Sequence, residues 1–410
     1  MAGDGGQGRW RVNLVYVVSR PPTRRDGERY GVFRALERGH AITVADVSRP
    51  TFPMLPVHRD LAWVPAGVAI DIFDDWSEPS RLRRLFEAAD LVILLNQSYG
   101  PARNNLKVLR QLAAAGTPYL IMAPNLYGAR VPRLGEVPVG RRLAVALRRI
   151  ALIDPLNSII ARLPPRMLGV PSARYIVVNG LASCAANPLV GPETLTIAAH
   201  AADYDIFLRV AEQRRPAENT AVFLDQFVPF HPDMQAVRAS RTIDPETYYA
   251  ALRRLFERIE AELGLEVVVA AHPRADYEDR PELLGNRRII RGMTAEMVAS
   301  CRLVLSHVST ALGFAVLFKK PVMLIVTNDL YYRTPAHMHA NQETAVTLGT
   351  PLHFIDDCDV VSLADVLSYS EAAYERYVTH YLRHPQAGDG LLWDIVFDRL
   401  EADLAPRGQA

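Results

Sequence analysis

Cysteine is scarce in this chain. Its 410 residues include three, Cys184, Cys301 and Cys358, and none lies near another. That excludes a complete disulfide framework and a CxxC-type metal knuckle, and it favours a reducing compartment. An excess of charge of one sign is also missing. Lys and Arg number 46 against 45 Asp and Glu, a formal net charge of +1, so the molecule as a whole lacks the electrostatic footprint of a nucleic-acid binder. No apolar run is long enough to cross a bilayer. The start of the chain passes from a polar, Gly-rich tail into a strand-like segment without the layout of a signal peptide. Together these absences predict a cytoplasmic protein.

What the chain does have is a repeated alternation of strand-like and helix-like segments. Apolar, β-branched runs at 12–19, 42–47, 68–73, 91–95 and 119–123 are separated by helical spacing at 80–89 and 102–115. Continuous apolar runs of this length suit parallel strands buried on both faces. The rhythm breaks between 125 and 170, then strands are expected at 175–178 and 194–198. A polar, proline-containing stretch at 211–219 is the expected domain boundary. The alternation then restarts, with strands at 221–224, 266–271, 288–291, 303–306 and 322–326. Helices are expected at 294–301 and 310–319, and between the cap Asp244-Pro245 and the stop Gly264. The expected fold class is therefore α/β, with two Rossmann-like domains (1–215 and 216–410) facing a cleft and C-terminal helices packing back across the hinge.

In an open parallel sheet, ligands bind beyond the carboxyl ends of the strands. The expected strand ends carry His272-Pro273-Arg274 and, from Ser306 to Thr310, a segment that opens a helix. A helix N-terminus presents unpaired N–H groups, and the Ser309 and Thr310 hydroxyls and the Arg274 and His272 side chains can donate to the same anion. A phosphate site is expected there. Glu296, early in a helix, suits ribose hydroxyls or merely the helix dipole. Asp225 ends the first strand of the second half and is either a general base or a turn carboxylate. His200, Asp203 and Asp205 form a polar cluster beside the boundary, an acceptor-binding or catalytic candidate against an ordinary polar loop. Neither this cluster nor His337 with His339 has diagnostic metal spacing, and no metal is expected. His231-Pro232-Asp233 reads as a loop. Residues 101–166 hold eleven Lys or Arg against Glu136 and Asp154. Arg141, Arg142, Arg148 and Arg149 share one face of a helix there, suited to solvent, to an anionic acceptor or to peripheral contact with an inner membrane.

His272-Pro273 and Ser309-Thr310 resemble the His-Pro and Ser-Ser or Ser-Thr motifs of bacterial GT-B transferases that use cytidine nucleotides: the sialyltransferases, the capsule Kdo transferases and the CDP-glycerol glycerophosphotransferases. The likeness spans about 221–326. The acidic-acidic-Gly motif of the sialyltransferases is absent, with Asp225-Gln226 the nearest acidic feature. The resemblance implies a metal-independent glycosyltransferase that takes a nucleotide sugar as substrate, without a cofactor. Its donor would be a CMP-activated acidic sugar, and its acceptor a surface glycan or lipid-linked saccharide of capsule or lipopolysaccharide type. It also implies that His272 meets the donor phosphate or leaving group and that Ser309 and Thr310 bind phosphate. Transfer of a polyol phosphate from a CDP-alcohol, UDP-sugar 2-epimerisation and a non-catalytic nucleotide-binding scaffold remain open on the same residues.

Overall fold

The computed structural model describes residues 11–53, 59, 61–95, 102–123, 159–160, 163–184, 187–213, 215–230, 243–273, 275–278, 280–307, 309–333 and 335–404. They form two compact units. The first takes the described residues up to His200 and again from His384; the second runs from Ala201 to Arg383.

The first unit holds seven strands: β1 (Asn13–Val18), β2 (Ala41–Asp46), β3 (Val68–Ile72), β4 (Leu91–Leu94), β5 (Tyr119–Met122), β6 (Tyr175–Val178) and β7 (Leu195–Ala198). They lie in the order β3-β2-β1-β4-β5-β6-β7, and every pairing is parallel. The second unit holds six: β8 (Thr220–Leu224), β9 (Glu266–Ala270), β10 (Ile289–Ile290), β11 (Leu303–Ser306), β12 (Val322–Val326) and β13 (Leu352–Phe354). Their order is β10-β9-β8-β11-β12-β13, again all parallel. Every residue of β4, β6, β8, β11 and β12 is buried, as expected of strands covered on both faces.

Local signals explain the longest helix. At Pro245–Leu263 the Asp244 carboxylate accepts the Thr247 amide at 2.8 Å, Pro245 supplies the first helical residue, and Gly264 stops the helix at φ +64°. Its Tyr248, Tyr249, Leu252, Leu255, Phe256 and Ile259 are buried and pack with Phe223, Val267, Val269, Leu303 and Leu305 on one face of the second sheet. The other face carries Val222, Leu224, Ala270 and Val304 beneath helices Thr294–Ser300 and Leu312–Leu317.

The unit boundary corrects the expected division at 215/216. Helix Ala202–Ala211, unforeseen because its charged first turn masks its periodicity, belongs to the second unit. Val210 is buried in that unit's core, and the Phe207 ring meets Phe318 with centroids 4.9 Å apart. The last helix, Leu392–Leu404, belongs to the first unit and buries Trp393, Val396, Phe397 and Leu400. Asp394 receives Arg34 and Arg38, each at 2.7 Å, and the Trp393 indole donates to the Arg29 carbonyl at 2.9 Å.

Gly31 makes this packing possible. Its φ is +71°, and a Cβ added there would lie 2.2 Å from the Trp393 ring. Gly31→Ala is expected to lower stability by about 1–3 kcal/mol through strain and overpacking, read as a lower thermal midpoint; an unchanged midpoint would show that helix Leu392–Leu404 contributes little.

Candidate functional site

In the second sheet the chain leaves β8 toward β9 over one face and leaves β11 toward β12 over the other, so strand order reverses between β8 and β11. The segments after β8, β9 and β11 therefore surround the switch point at which open α/β sheets bind ligands. Asp225, His272 and the Ser309-Thr310 pair lie on these three segments. His272 is half-buried, Pro273 is exposed, Ser309 is half-buried and Thr310 is exposed. Arg274 lies outside the described residues, as do 231–233 and most of 141–166; helix Pro335–Leu348 carries His337 and His339, whose side chains are likewise not described.

Ser306 was expected among the ligand-binding groups, and the structure corrects that. It is fully buried, and its Oγ has no partner among the described residues. Strand alternation is the reason: Ser306 is the last residue of β11 and stands two places after Val304, under the helices of that face. His307, one residue on, was not foreseen. It faces the other side, buried between the rings of Phe223 and Tyr248, each 5.7 Å away between centroids. Its Nδ1 lies 2.7 Å from the Ile325 carbonyl and its Nε2 2.7 Å from the Tyr248 hydroxyl. Since a carbonyl only accepts, Nδ1 carries the hydrogen and Tyr248 donates to Nε2. His307 therefore ties β11 to β12 and to the long helix. The tyrosine pair in that helix was the available sequence signal.

Asp225 is also enclosed. Oδ1 accepts the Phe227 amide at 2.8 Å, across a turn whose Phe227 has φ +52°. Oδ2 is buried, and among the described residues no donor stands in good hydrogen-bond geometry to it. Burial raises the carboxyl above its ordinary pKa, opposed by the Phe227 amide, the nearby Tyr277 hydroxyl and the His272 and Gln226 amides. Burial and Asp225 in turn push the Tyr277 hydroxyl far up, with a further contribution from Tyr249. Through the Phe227 amide Asp225 clamps the turn after β8.

The turn before helix Leu312–Leu317 differs from the expected open helix end. The Ala311 amide donates to Ser309 Oγ at 3.3 Å, and the Leu312 and Gly313 amides donate to the Ser309 and Thr310 carbonyls. The helix has six residues. Tight 3₁₀-type pairing thus occupies amides that a phosphate would use, and hydroxyls become the donors that this segment can offer. Glu296 lines a separate groove of about 130 Å³ with Met293, Met297, Arg288, Arg215 and Ser300.

His200, Asp203 and Asp205 are not one cluster within a unit. His200 closes the β7 segment of the first unit and donates from Nε2 to the Gly390 carbonyl at 3.0 Å. Asp203, buried, and Asp205, half-buried, sit in the first turn of helix Ala202–Ala211 in the second. Among the described residues no three His, Cys, Asp or Glu side chains are grouped to hold a metal ion, and no helix is long and apolar enough to cross a membrane. Burial pushes the Cys301 thiol up to about 12, which leaves it unreactive.

No protein-family model matches the chain, and no curated protein matches it. Solved structures do. Phytolacca americana UGT2, complexed with UDP-2-fluoro-glucose and pterostilbene, is similar at a TM-score of 0.53 and 9% identity over 96% of this chain and 99% of that one. The glycotransferase of kitacinnamycin gives 0.52 at 12% identity over 95% and 99%. A Listeria monocytogenes protein described as a UDP-N-acetylglucosamine 2-epimerase gives 0.51 at 11% identity over 98% and 99%. At these identities the likeness is one of fold. The chain has the GT-B architecture of two Rossmann-like units with parallel sheets of seven and six strands.

The raised Asp225 carboxyl gives a stability test. Its folded state holds the proton to higher pH than the unfolded chain does, so stability falls as pH rises from the ordinary aspartate pKa of about 3.9 through the raised folded value. Asp225→Asn keeps the Oδ1 acceptor and lacks that loss. Its urea midpoint is expected to gain on the parent as pH rises above about 4. A pH-independent difference would mean that the buried carboxyl does not titrate as described.

Proposed function

We propose that this protein is a metal-independent GT-B glycosyltransferase that binds a nucleotide sugar at the carboxyl ends of β8, β9 and β11 and passes the sugar to a glycan or lipid-linked acceptor. The observation that carries the reading is that His272 and Ser309-Thr310, singled out by sequence, stand on segments that surround the strand-order reversal of the second sheet. The half-buried His272 imidazole and the Ser309 and Thr310 hydroxyls are the donors for the nucleotide phosphates, with the first unit serving the acceptor. The His-Pro and Ser-Thr motifs favour a cytidine nucleotide and a CMP-activated acidic sugar. Asp225 acts in this scheme by fixing the turn after β8, beside the segment that bears His272.

Calorimetric titration with CMP, CDP and UDP tests the donor class. CMP is expected to bind most tightly; preference for UDP would favour hexose transfer or 2-epimerisation, preference for CDP a polyol phosphate donor, and absence of all binding would remove the nucleotide site. Ser309→Ala with Thr310→Val should weaken the preferred nucleotide, each lost bond to a charged phosphate costing about 1.5–3 kcal/mol, with the protein still folded.

Transfer builds negative charge on the departing phosphate, and a donor at His272 would stabilise that charge more than the ground state. His272→Ala should therefore lower turnover on the order of 10²–10³ while changing nucleotide affinity less. Near-normal turnover would end the assignment.

A further inference from the structure

Two cavities adjoin at the other end of the second sheet. One, of about 310 Å³, is lined by Tyr204, Phe207, Tyr369 and Tyr374, with Glu375 and Thr379 beside them. The other, of about 350 Å³, shares Tyr369 and Tyr374 and adds Asp365, Ser368 and Thr350. The second also reaches Val322, the first residue of β12, and the Tyr374 hydroxyl donates to the Lys320 carbonyl, just before that strand, at 2.8 Å. The cavities thus flank the amino end of β12, whereas His272 and Ser309 follow carboxyl ends.

The tyrosines give the chemistry. Their rings stack with centroids 4.7 Å apart and planes 27° apart. Tyr374 is 4% exposed and Tyr369 40%, so a buried, hydroxyl-anchored ring backs an exposed one. The exposed ring offers a flat apolar surface. Carboxylates and hydroxyls lie around it: Glu375 and Thr379 in one cavity, Asp365 and Ser368 in the other. Sugars carry an apolar C–H face and a rim of hydroxyl donors, and both halves match this arrangement. A lipid chain would strip water from the carboxylates without replacing their hydrogen bonds. An anionic ligand would meet Asp365, Glu371 and Glu375, and Lys319 is already paired with Glu371. Two cavities joined by one tyrosine pair suit a ligand of several linked units.

We propose that this groove binds a neutral oligosaccharide and anchors the glycan on which the enzyme acts. The anchoring role rests on the glycosyl-transfer reading; the binding does not. The test uses the full chain on an array of immobilised neutral and anionic oligosaccharides, with calorimetry on the free form of the tightest neutral binder. Neutral chains are expected to be retained. Tyr369→Ala should weaken the tightest by about ten-fold, the loss expected for one ring contact, and Glu375→Gln should weaken it as well, with the protein still folded and the affinities for CMP, CDP and UDP unchanged. Failure of every neutral chain to bind, preference for anionic chains, or indifference to both substitutions would overturn the proposal. Nucleotide binding without glycan retention would sink the groove alone; glycan retention without nucleotide binding would sink the transfer reading alone.

Discussion

The candidate site depends on how parallel strands are connected. Each strand must return to the same end of the sheet before the next begins, and the crossover is right-handed. From β8 the chain crosses one face through helix Pro245–Leu263 to β9; from β11 it crosses the other face through Leu312–Leu317 to β12. The segments leaving β8 and β11 therefore part to opposite faces, although their strands are hydrogen-bonded neighbours. In open α/β sheets such a divergence leaves a crevice, and whatever follows the two strands can line it. That is why short polar segments such as those at His272 and Ser309 can be functional while the strands behind them remain mostly apolar and buried.

The strand-end segments need support, and the second unit supplies it with buried polar groups. Asp225, Tyr248, Tyr249, Tyr277 and His307 lie on the long-helix side and are all buried. Some of their bonds are good: Phe227 to Asp225, Tyr248 to His307, and His307 to Ile325. Other atoms, including Asp225 Oδ2 and the Ser306 Oγ, have no well-placed partner among the described residues. Each such buried group costs about 1–3 kcal/mol if it stays unpaired. An apolar layer would have been cheaper, but it could not have clamped the turn at Phe227, whose left-handed backbone is itself unfavourable for a bulky residue. The arrangement exchanges stability for a fixed geometry of the segments after β8 and β9.

Much of the architecture was legible because buried parallel strands leave an unmistakable record. The runs at 175–178, 303–306 and 322–326 coincide with β6, β11 and β12, and the Asp244-Pro245 cap and Gly264 stop bound the long helix as expected. What escaped was of two kinds. Helix Ala202–Ala211 and strand β13 have mixed polarity, because each lies partly against solvent. The second kind concerns side-chain direction. Ser306, His307 and Asp225 all stand at strand ends, and sequence position alone placed Ser306 and Asp225 in the site. Alternation beyond the strand sends Ser306 under one layer of helices and His307 under the other, a one-residue difference that only the register resolves. His200 closes the first unit's β7 segment while Asp203 and Asp205 open a helix of the second, because the chain passes from one unit to the other at Ala201.

The opposite ends of the second sheet carry different kinds of surface, and the difference follows from the same connectivity. At the carboxyl ends the backbone turns tightly, and the half-buried His272 and Ser309 and the exposed Thr310 offer, among the described residues, an imidazole and two hydroxyls that can meet a phosphate. At the amino end of β12 the helices Ala202–Ala211, Leu312–Leu317 and Glu371–Tyr377 come together without filling the space between them, and the groups exposed are rings and carboxylates. A phosphate would be repelled there, and a neutral sugar has little to hold it at His272 and Ser309. If both regions bind as proposed, the β12 strand of five residues separates them by roughly 17 Å. A bound glycan would then leave the nucleotide end free, so the two ligands could be held at once without competing for the same side chains.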